Sequence, residues 1–457
     1  VTATFDPPRA APQFGFKFAS SGKSLGNGRE TDGVHWKALG GETRDAKGSA
    51  AGGTDRTGDD CLPRVPIAAL ALLLLAGSAH GEDYKDGPPA AGQFPAFVGQ
   101  TRAPAPAAHS AYRIVPVAQG LNHPWSLTWL PDGRMLVTER PGRLRIVTAD
   151  GTLSPPVSGV PAVVSDNTGG LLDVALDPHF RANRLVYLTY LEPRDGGTNA
   201  ISVARGRLAA DGAAPALEHV SVILRTGPST TGGDNVGSRL AFGRDGRLYI
   251  TLGDRMVLRD QAQSLASNLG KVARIAPDGA IPPDNPFAHV AGARPEIFSY
   301  GHRNPEGLAF NPATGALFEL EHGAKGGDEL NIIHPGLNYG WPVITYGIDY
   351  SGAKIGIGTQ KAGMQQPVYY WDPSIAPSGL AFYTGELFPA WKGNLFVGAL
   401  KAQRVVRLTL DGEHVVSEEV LLTELHERIR DVRQGPDGAL YVLTDNDAGR
   451  ILKLVPA

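Results

Sequence analysis

Two arginines one residue apart, Arg428-Ile429-Arg430, stand in a stretch that reads as extended. Alternation puts both guanidinium groups on one face with Ile429 opposite, and like charges so placed need a shared anion, such as a clamped carboxylate. Gly301-His-Arg-Asn-Pro-Glu-Gly places Arg303 and Asn304 at a strand entry beside a proline, and Lys401 follows the apolar stretch Leu395-Phe-Val-Gly-Ala-Leu. The loop Glu321-His-Gly-Ala-Lys-Gly-Gly-Asp-Glu-Leu-Asn, with Asn338-Tyr-Gly-Trp-Pro after it, is rich in glycine and carboxylates. Its carbonyls and side-chain oxygens suit a hard cation such as Ca2+, although the spacing is not that of an EF-hand. Gly232-Gly-Asp-Asn-Val-Gly-Ser-Arg-Leu and Gly253-Asp-Arg supply Asp234 and Asp254, candidates for acid/base or hydrogen-bonding work. Read singly, each motif has a plain alternative as a turn, a solvated loop or surface arginines. Read together, they put cations, metal-binding carbonyls and carboxylates at the ends of strands, which suits a polyanionic cofactor held with a metal ion.

The elements that must carry these groups repeat. An apolar segment, a Pro/Asp-Gly turn and an alternating strand recur, often with a further strand containing Arg-Ile or Arg-Val. Copies open at Trp125, Leu171, Ser238, Gly307, Gly379 and Val432. The Asp-Gly pair supplies a hairpin turn, and alternation as in Leu248-Tyr-Ile-Thr-Leu lays one face on a neighbouring sheet. One such meander cannot bury both of its faces, so units must stack. Six copies at intervals of about 40 to 90 residues predict an all-β, six-bladed β-propeller; a β-sandwich would not need a repeated turn signature. The strand Tyr112-Arg-Ile-Val-Pro-Val is expected to complete the last blade, and Gln261 to Leu269 reads as a short helix.

The bulk numbers agree with a turn-rich β protein: 58 Gly and 36 Pro in 457 residues, with 19% charged residues. A net charge of -3 gives no field that would recruit nucleic acid or an anionic membrane. The single Cys61 excludes an intrachain disulfide. Residues 67–76 form an apolar run too short to span a bilayer, preceded by Arg64 and followed by Gly77, Ser78 and Ala79. Residues 61–81 therefore read as a secretory signal peptide, making the protein periplasmic or secreted with no integral membrane segment in the mature chain. Residues 1–60 read as a disordered leader or an over-extended start, since Val1 opens the chain and no Met precedes Met135. Residues 82–110 read as a Pro/Ala-rich tail or linker, leaving 111–457 as the propeller domain.

Over roughly residues 112–457 the chain resembles the soluble aldose sugar dehydrogenases that depend on pyrroloquinoline quinone (PQQ). The resemblance rests on Gly301-His-Arg-Asn-Pro, Glu321-His-Gly through Gly327-Asp-Glu-Leu-Asn, Asn338-Tyr-Gly-Trp-Pro, Ile375-Ala-Pro-Ser-Gly and Arg428-Ile-Arg-Asp-Val, in that order. It implies a six-bladed propeller with the tricarboxylate quinone over its mouth. By position it implies that Arg303, Asn304, Lys401, Arg428 and Arg430 bind PQQ, with Thr168 standing where the family carries Gln. Carbonyls of Gly323 and Ala324 would face a Ca2+ ion beside PQQ, Glu329 and Tyr339 would serve a second, structural Ca2+, and Asp254 would orient the catalytic base. The implied reaction oxidises an aldose to its lactone and passes electrons to an external acceptor; monomer and homodimer both stay open.

The sequence departs from the family where the proton must go. The usual His before Gly-Ser-Arg-Leu is Asn235, and an amide cannot accept a proton near neutral pH. Asp234 or Asp254 could replace it only with a raised pKa. Glu306 stands where Gln is usual, and Ala324 replaces Pro. The rival readings are a non-catalytic propeller that binds quinone or sugar, and a Ca2+-dependent lactonase-type hydrolase.

Overall fold

In three blades the same dipeptide makes the first hairpin. Asp132, Asp245 and Asp437 each accept a hydrogen bond from the backbone N–H two residues on, at 3.0, 3.0 and 3.1 Å. The glycine between takes the left-handed conformation that the turn needs, with φ of 89°, 71° and 78° at Gly133, Gly246 and Gly438. The computed structural model describes residues 87–210 and 214–457. The apolar run 67–76 and Cys61 lie outside the described residues.

The described strands form six antiparallel sheets, the blades of a β-propeller. Their innermost strands are Pro124–Trp129, Leu171–Leu176, Gly237–Phe242, Pro305–Phe310, Pro377–Phe382 and Ile429–Gln434. Each packs on the innermost strand of the next blade, and the sixth returns to the first. Burial follows from this stacking. Leu127, Leu172, Leu188, Ile250, Val397 and Val442 are sealed between sheets, each worth about 1.5–3 kcal/mol against exposure. Blade one has three strands and the others four. The fourth strand of blade six is Tyr112–Leu121, paired antiparallel with Gly449–Pro456, so the expected closure holds.

Two expectations change. In place of a helix over Gln261–Leu269 there is one 3-10 turn, Arg259–Gln263. The buried Lys271 Nζ reaches back to the carbonyls of Gln261 and Ala262, both at 3.0 Å, and of Leu269, taking acceptors that a longer helix would use. The described part of the segment read as a tail, residues 87–110, is bound along blades four and five. Gln100 is buried and Ala103 joins the core there. Ser110 accepts the indole N–H of Trp391 at 2.7 Å. Among the described residues no helix is long and apolar enough to cross a membrane.

Candidate active site

Antiparallel blades bring two positions to one mouth of the ring: the residues entering each innermost strand and those leaving the second strand. The entering residues include His123, Asn235, Arg303-Asn304 and Arg428. The leaving ones include Arg140, Asp254, His322, Lys401 and Asp445. Side chains distant in sequence meet there because the fold repeats, not because the motifs do.

A nearly continuous set of bonds runs round this mouth. Arg140 donates to the Asn167 carbonyl at 2.6 Å, and Thr168 Oγ1 donates to the Gly233 carbonyl at 2.7 Å. Asn235 Nδ2 donates to Asp254 Oδ1 at 2.8 Å. The backbone N–H of Asp254 donates to the Arg303 carbonyl at 2.7 Å, and Arg303 Nη1 to the His322 carbonyl at 3.0 Å. His322 Nε2 lies 3.6 Å from Glu306, which pairs with Arg430. Arg430 and Arg428 both reach Asp445 Oδ2, at 2.9 and 3.4 Å, and Asp445 Oδ1 meets His123 Nδ1 at 2.7 Å. The Arg140 N–H then donates to the His123 carbonyl at 3.0 Å. Beneath, the buried Arg239 stacks on Trp125 with 4.1 Å to the ring centroid and donates to the Glu306 and Arg430 carbonyls.

The electrostatics follow from these partners. Burial opposes ionisation of Glu306, but Arg430 and then His322 outweigh it and hold the carboxyl at about 2. Asp445 is likewise held well below the usual range, burial being overcome by Arg430, His123 and Arg428. Asp254 moves the other way: burial raises it despite Arg303 and its hydrogen bonds. Arg140 is pulled below the usual arginine range by burial and by Arg430 and Arg428, with Asp445 opposing. Arg303 Nε is buried with no hydrogen-bond partner, and the guanidinium lies over Trp341 at 5.4 Å.

The sequence-named residues thus fall into groups. Arg303, Asn304, Arg428, Arg430, Asn235 and Asp254 share the mouth. Lys401 joins it from blade five: its Nζ donates to the Ser374 carbonyl at 3.0 Å, and Ser374 Oγ binds Asp328, which caps the Gly323 N–H at 2.8 Å. The Thr168 hydroxyl is spent on the Gly233 carbonyl, in the loop that leads to Asn235. Arg430 and Asn304 are walled in: Arg430 by its two carboxylates, Asn304 between Glu306 Oε1 at 3.0 Å and the Gly237 N–H at 2.9 Å. The anion shared by Arg428 and Arg430 is the protein's own Asp445. Asp254 is enclosed, since Trp341 Nε1 and the Met256 N–H, both at 2.7 Å, join Asn235 on its oxygens. Asp234 is partly exposed at the rim and accepts from Asn167 Nδ2. Backbone strain collects here: Asn235, Arg255 and Met256 have φ of 43°, 58° and 56°.

For the cation donors, Gly323 and Ala324 lie in a tight loop, and the Ala324 carbonyl already accepts the Ile348 N–H at 3.0 Å. Glu329 and Tyr339 border a small cavity with Glu321, Gly323 and Thr345. Glu319 and Glu329 are buried, and their carboxyls are raised by that burial and by Glu321. Buried carboxyls crowded in this way are the donor chemistry that a divalent cation relieves. Arg140, His123 and Asp445 were missed in the sequence. Their signal was positional: each ends the second strand or opens the first, as Asp254 and Arg303 do.

Residues 121–453 match the Glucose / Sorbosone dehydrogenase family. The chain belongs to that family. It is 46% identical over 353 residues to the aldose sugar dehydrogenase YliI of Escherichia coli, covering 77% of this chain and 94% of that one. It is 30% identical over 417 residues to quinoprotein glucose dehydrogenase B of Acinetobacter calcoaceticus, covering 74% and 86%. The PQQ-bound aldose sugar dehydrogenase of Streptomyces coelicolor superposes with a TM-score of 0.62 at 30% identity, over 76% of this chain and 99% of that one. The family assignment makes the chain a sugar oxidoreductase by kinship, and the resemblance read from the motifs is the same family.

Proposed function

We propose that this protein oxidises aldose sugars to lactones with PQQ held beside Ca2+, passing electrons to an external acceptor outside the cytoplasm. The observation that carries the reading is the charge of the mouth. Arg140, Arg303, Arg428, Arg430 and Lys401 gather round it, and the carboxylates that face them there are Glu306, Asp445 and the enclosed Asp254. A surplus of cations with an orphaned Arg303 Nε fits a flat trianion. When bound, PQQ would supply the two-electron quinone that accepts hydride from the sugar.

Arg303, Arg428 and Lys401 would hold its carboxylates, with Arg140 beside them. Arg430 and Asn304 would act from the wall, and Thr168 by fixing the Asn235 loop. Gly323 and Ala324 would offer carbonyls to one Ca2+, and Glu329 and Tyr339 would serve a second. Asn235 gives its N–H to Asp254, which leaves Oδ1 as an acceptor for a sugar hydroxyl. That orients the hydroxyl without removing its proton. Asp234 is the accessible carboxylate for that task, and Asp254 is closed to it.

The second reading, a binding propeller without turnover, is favoured by Asn235. The two separate on adding PQQ and Ca2+ to the apoprotein and mixing with glucose. Reduction of the bound quinone in its absorbance spectrum, slowed in Asp234→Asn, is the expected result. Binding with no reduction by any aldose would leave the second reading, and lactone hydrolysis without PQQ binding would leave a lactonase.

A further inference from the structure

We propose that the segment Gly87–Ser110 positions the cation-binding loop Gly323–Gly327, so that its contacts set the affinity for Ca2+. The inference rests on the reading of that loop given above.

The loop has two walls, and the segment is bonded to both. One wall is Tyr346-Gly347-Ile348. Ile348 holds the Ala324 carbonyl, and Gly347 packs so close that a Cβ there would strike the carbonyls of Gly326 and Ala324. The other wall is Trp371-Asp372. The Trp371 carbonyl accepts the Gly327 N–H at 2.8 Å, and a Cβ on Gly326 would strike Asp372 Oδ1. A loop this close to both walls must move when either moves.

Gln100 fixes the first wall. It is fully buried, Oε1 accepts the Tyr346 hydroxyl at 3.0 Å, and Nε2 donates to the Pro367 carbonyl at 2.8 Å. Its own carbonyl accepts the Tyr370 N–H at 2.9 Å, while Tyr370 stacks on Tyr346 at 3.9 Å. Gln93 Nε2 adds a bond to the Gly347 carbonyl at 3.3 Å. The second wall is held by the Ala90 N–H on Asp372 Oδ2 at 2.7 Å and by Arg102 Nη2 on the Asp372 carbonyl at 2.8 Å. These residues act through the walls, as positioning residues.

The far end of the segment provides the control. Ser110 Oγ donates to Glu419 at 2.8 Å and accepts the Trp391 indole N–H at 2.7 Å, both partners belonging to blade five and neither to a wall. General loosening of the segment and loss of positioning are therefore separable.

The test is calorimetric titration of Ca2+ into the full chain after stripping with EGTA, with and without PQQ, alongside circular dichroism and Tm. Gln100→Ala is expected to weaken Ca2+ binding about tenfold, and Gln93→Ala, a milder change, about threefold, both remaining folded. Ser110→Ala is expected to lower Tm with Ca2+ affinity unchanged. Wild-type affinity in folded Gln100→Ala and Gln93→Ala would overturn the proposal, and so would an equal loss in Ser110→Ala. A wild-type chain that binds no Ca2+ would overturn the underlying reading as well.

Discussion

If the protein acts as proposed, Asn235 is the residue on which the rate turns. Its N–H on Asp254 mimics one side of a neutral imidazole, and its amide oxygen offers none of the basicity of the other side. In Asn235→His the ring N–H would take over the bond to Asp254 and the second nitrogen would face the sugar. Dye-linked turnover should rise about 10²-fold or more, the usual worth of a general base. An unchanged rate would show that proton removal is not the defect. Glu306 sets a second expectation. Its carboxyl is held at about 2 against 4.5, so its pairs contribute of order 3 kcal/mol. A depressed carboxyl stabilises above its unfolded pKa, and the contribution is lost as pH falls through the folded value. Tm of the wild type should therefore drop more steeply between pH 4.5 and 2.5 than that of Glu306→Gln, and parallel curves would contradict the pairing. The same substitution removes a negative charge from the mouth and should tighten PQQ binding. Most of these residue types were legible in the sequence. Arg140 was not, because nothing local marks an arginine as facing a cluster; only its place in the repeat does.

At the scale of the element, the site is held by loops that strand geometry and buried polar contacts keep in place. Lys271 clips the loop after Asp254 by three backbone carbonyls. Lys271→Met would orphan buried acceptors at about 1–3 kcal/mol each for those that water cannot reach. A Tm several degrees lower is expected by calorimetry, and no loss would show that the loop stands without the clip. Alternating strands and Asp-Gly turns could be read from spacing, since pleat and turn chemistry act within a few residues. The 3-10 turn and the bound segment Gly87–Ser110 could not. Composition marks a Pro/Ala-rich stretch as a linker, and its docking depends on partners such as Tyr346 and Asp372, more than 240 residues away.

For the whole molecule, closure is what turns six weak motifs into one site. Tyr112–Leu121, the first described strand, pairs with the last, Gly449–Pro456, and the innermost strands complete a circle that carries the cations to a common mouth. The repeat made the blade number legible. Which charges would neutralise one another across blades was not, so the pairing of Arg430 with Glu306 and Asp445 emerged only from the fold. Equilibrium titration of PQQ into the apoprotein with Ca2+, at low and high salt, measures the central claim most directly. Binding of one quinone per chain is expected, weakened by salt and at least tenfold weaker in Arg428→Ala. No binding, or equal affinity in wild type and Arg428→Ala, would contradict the claim that this mouth is built for a multiply charged anion.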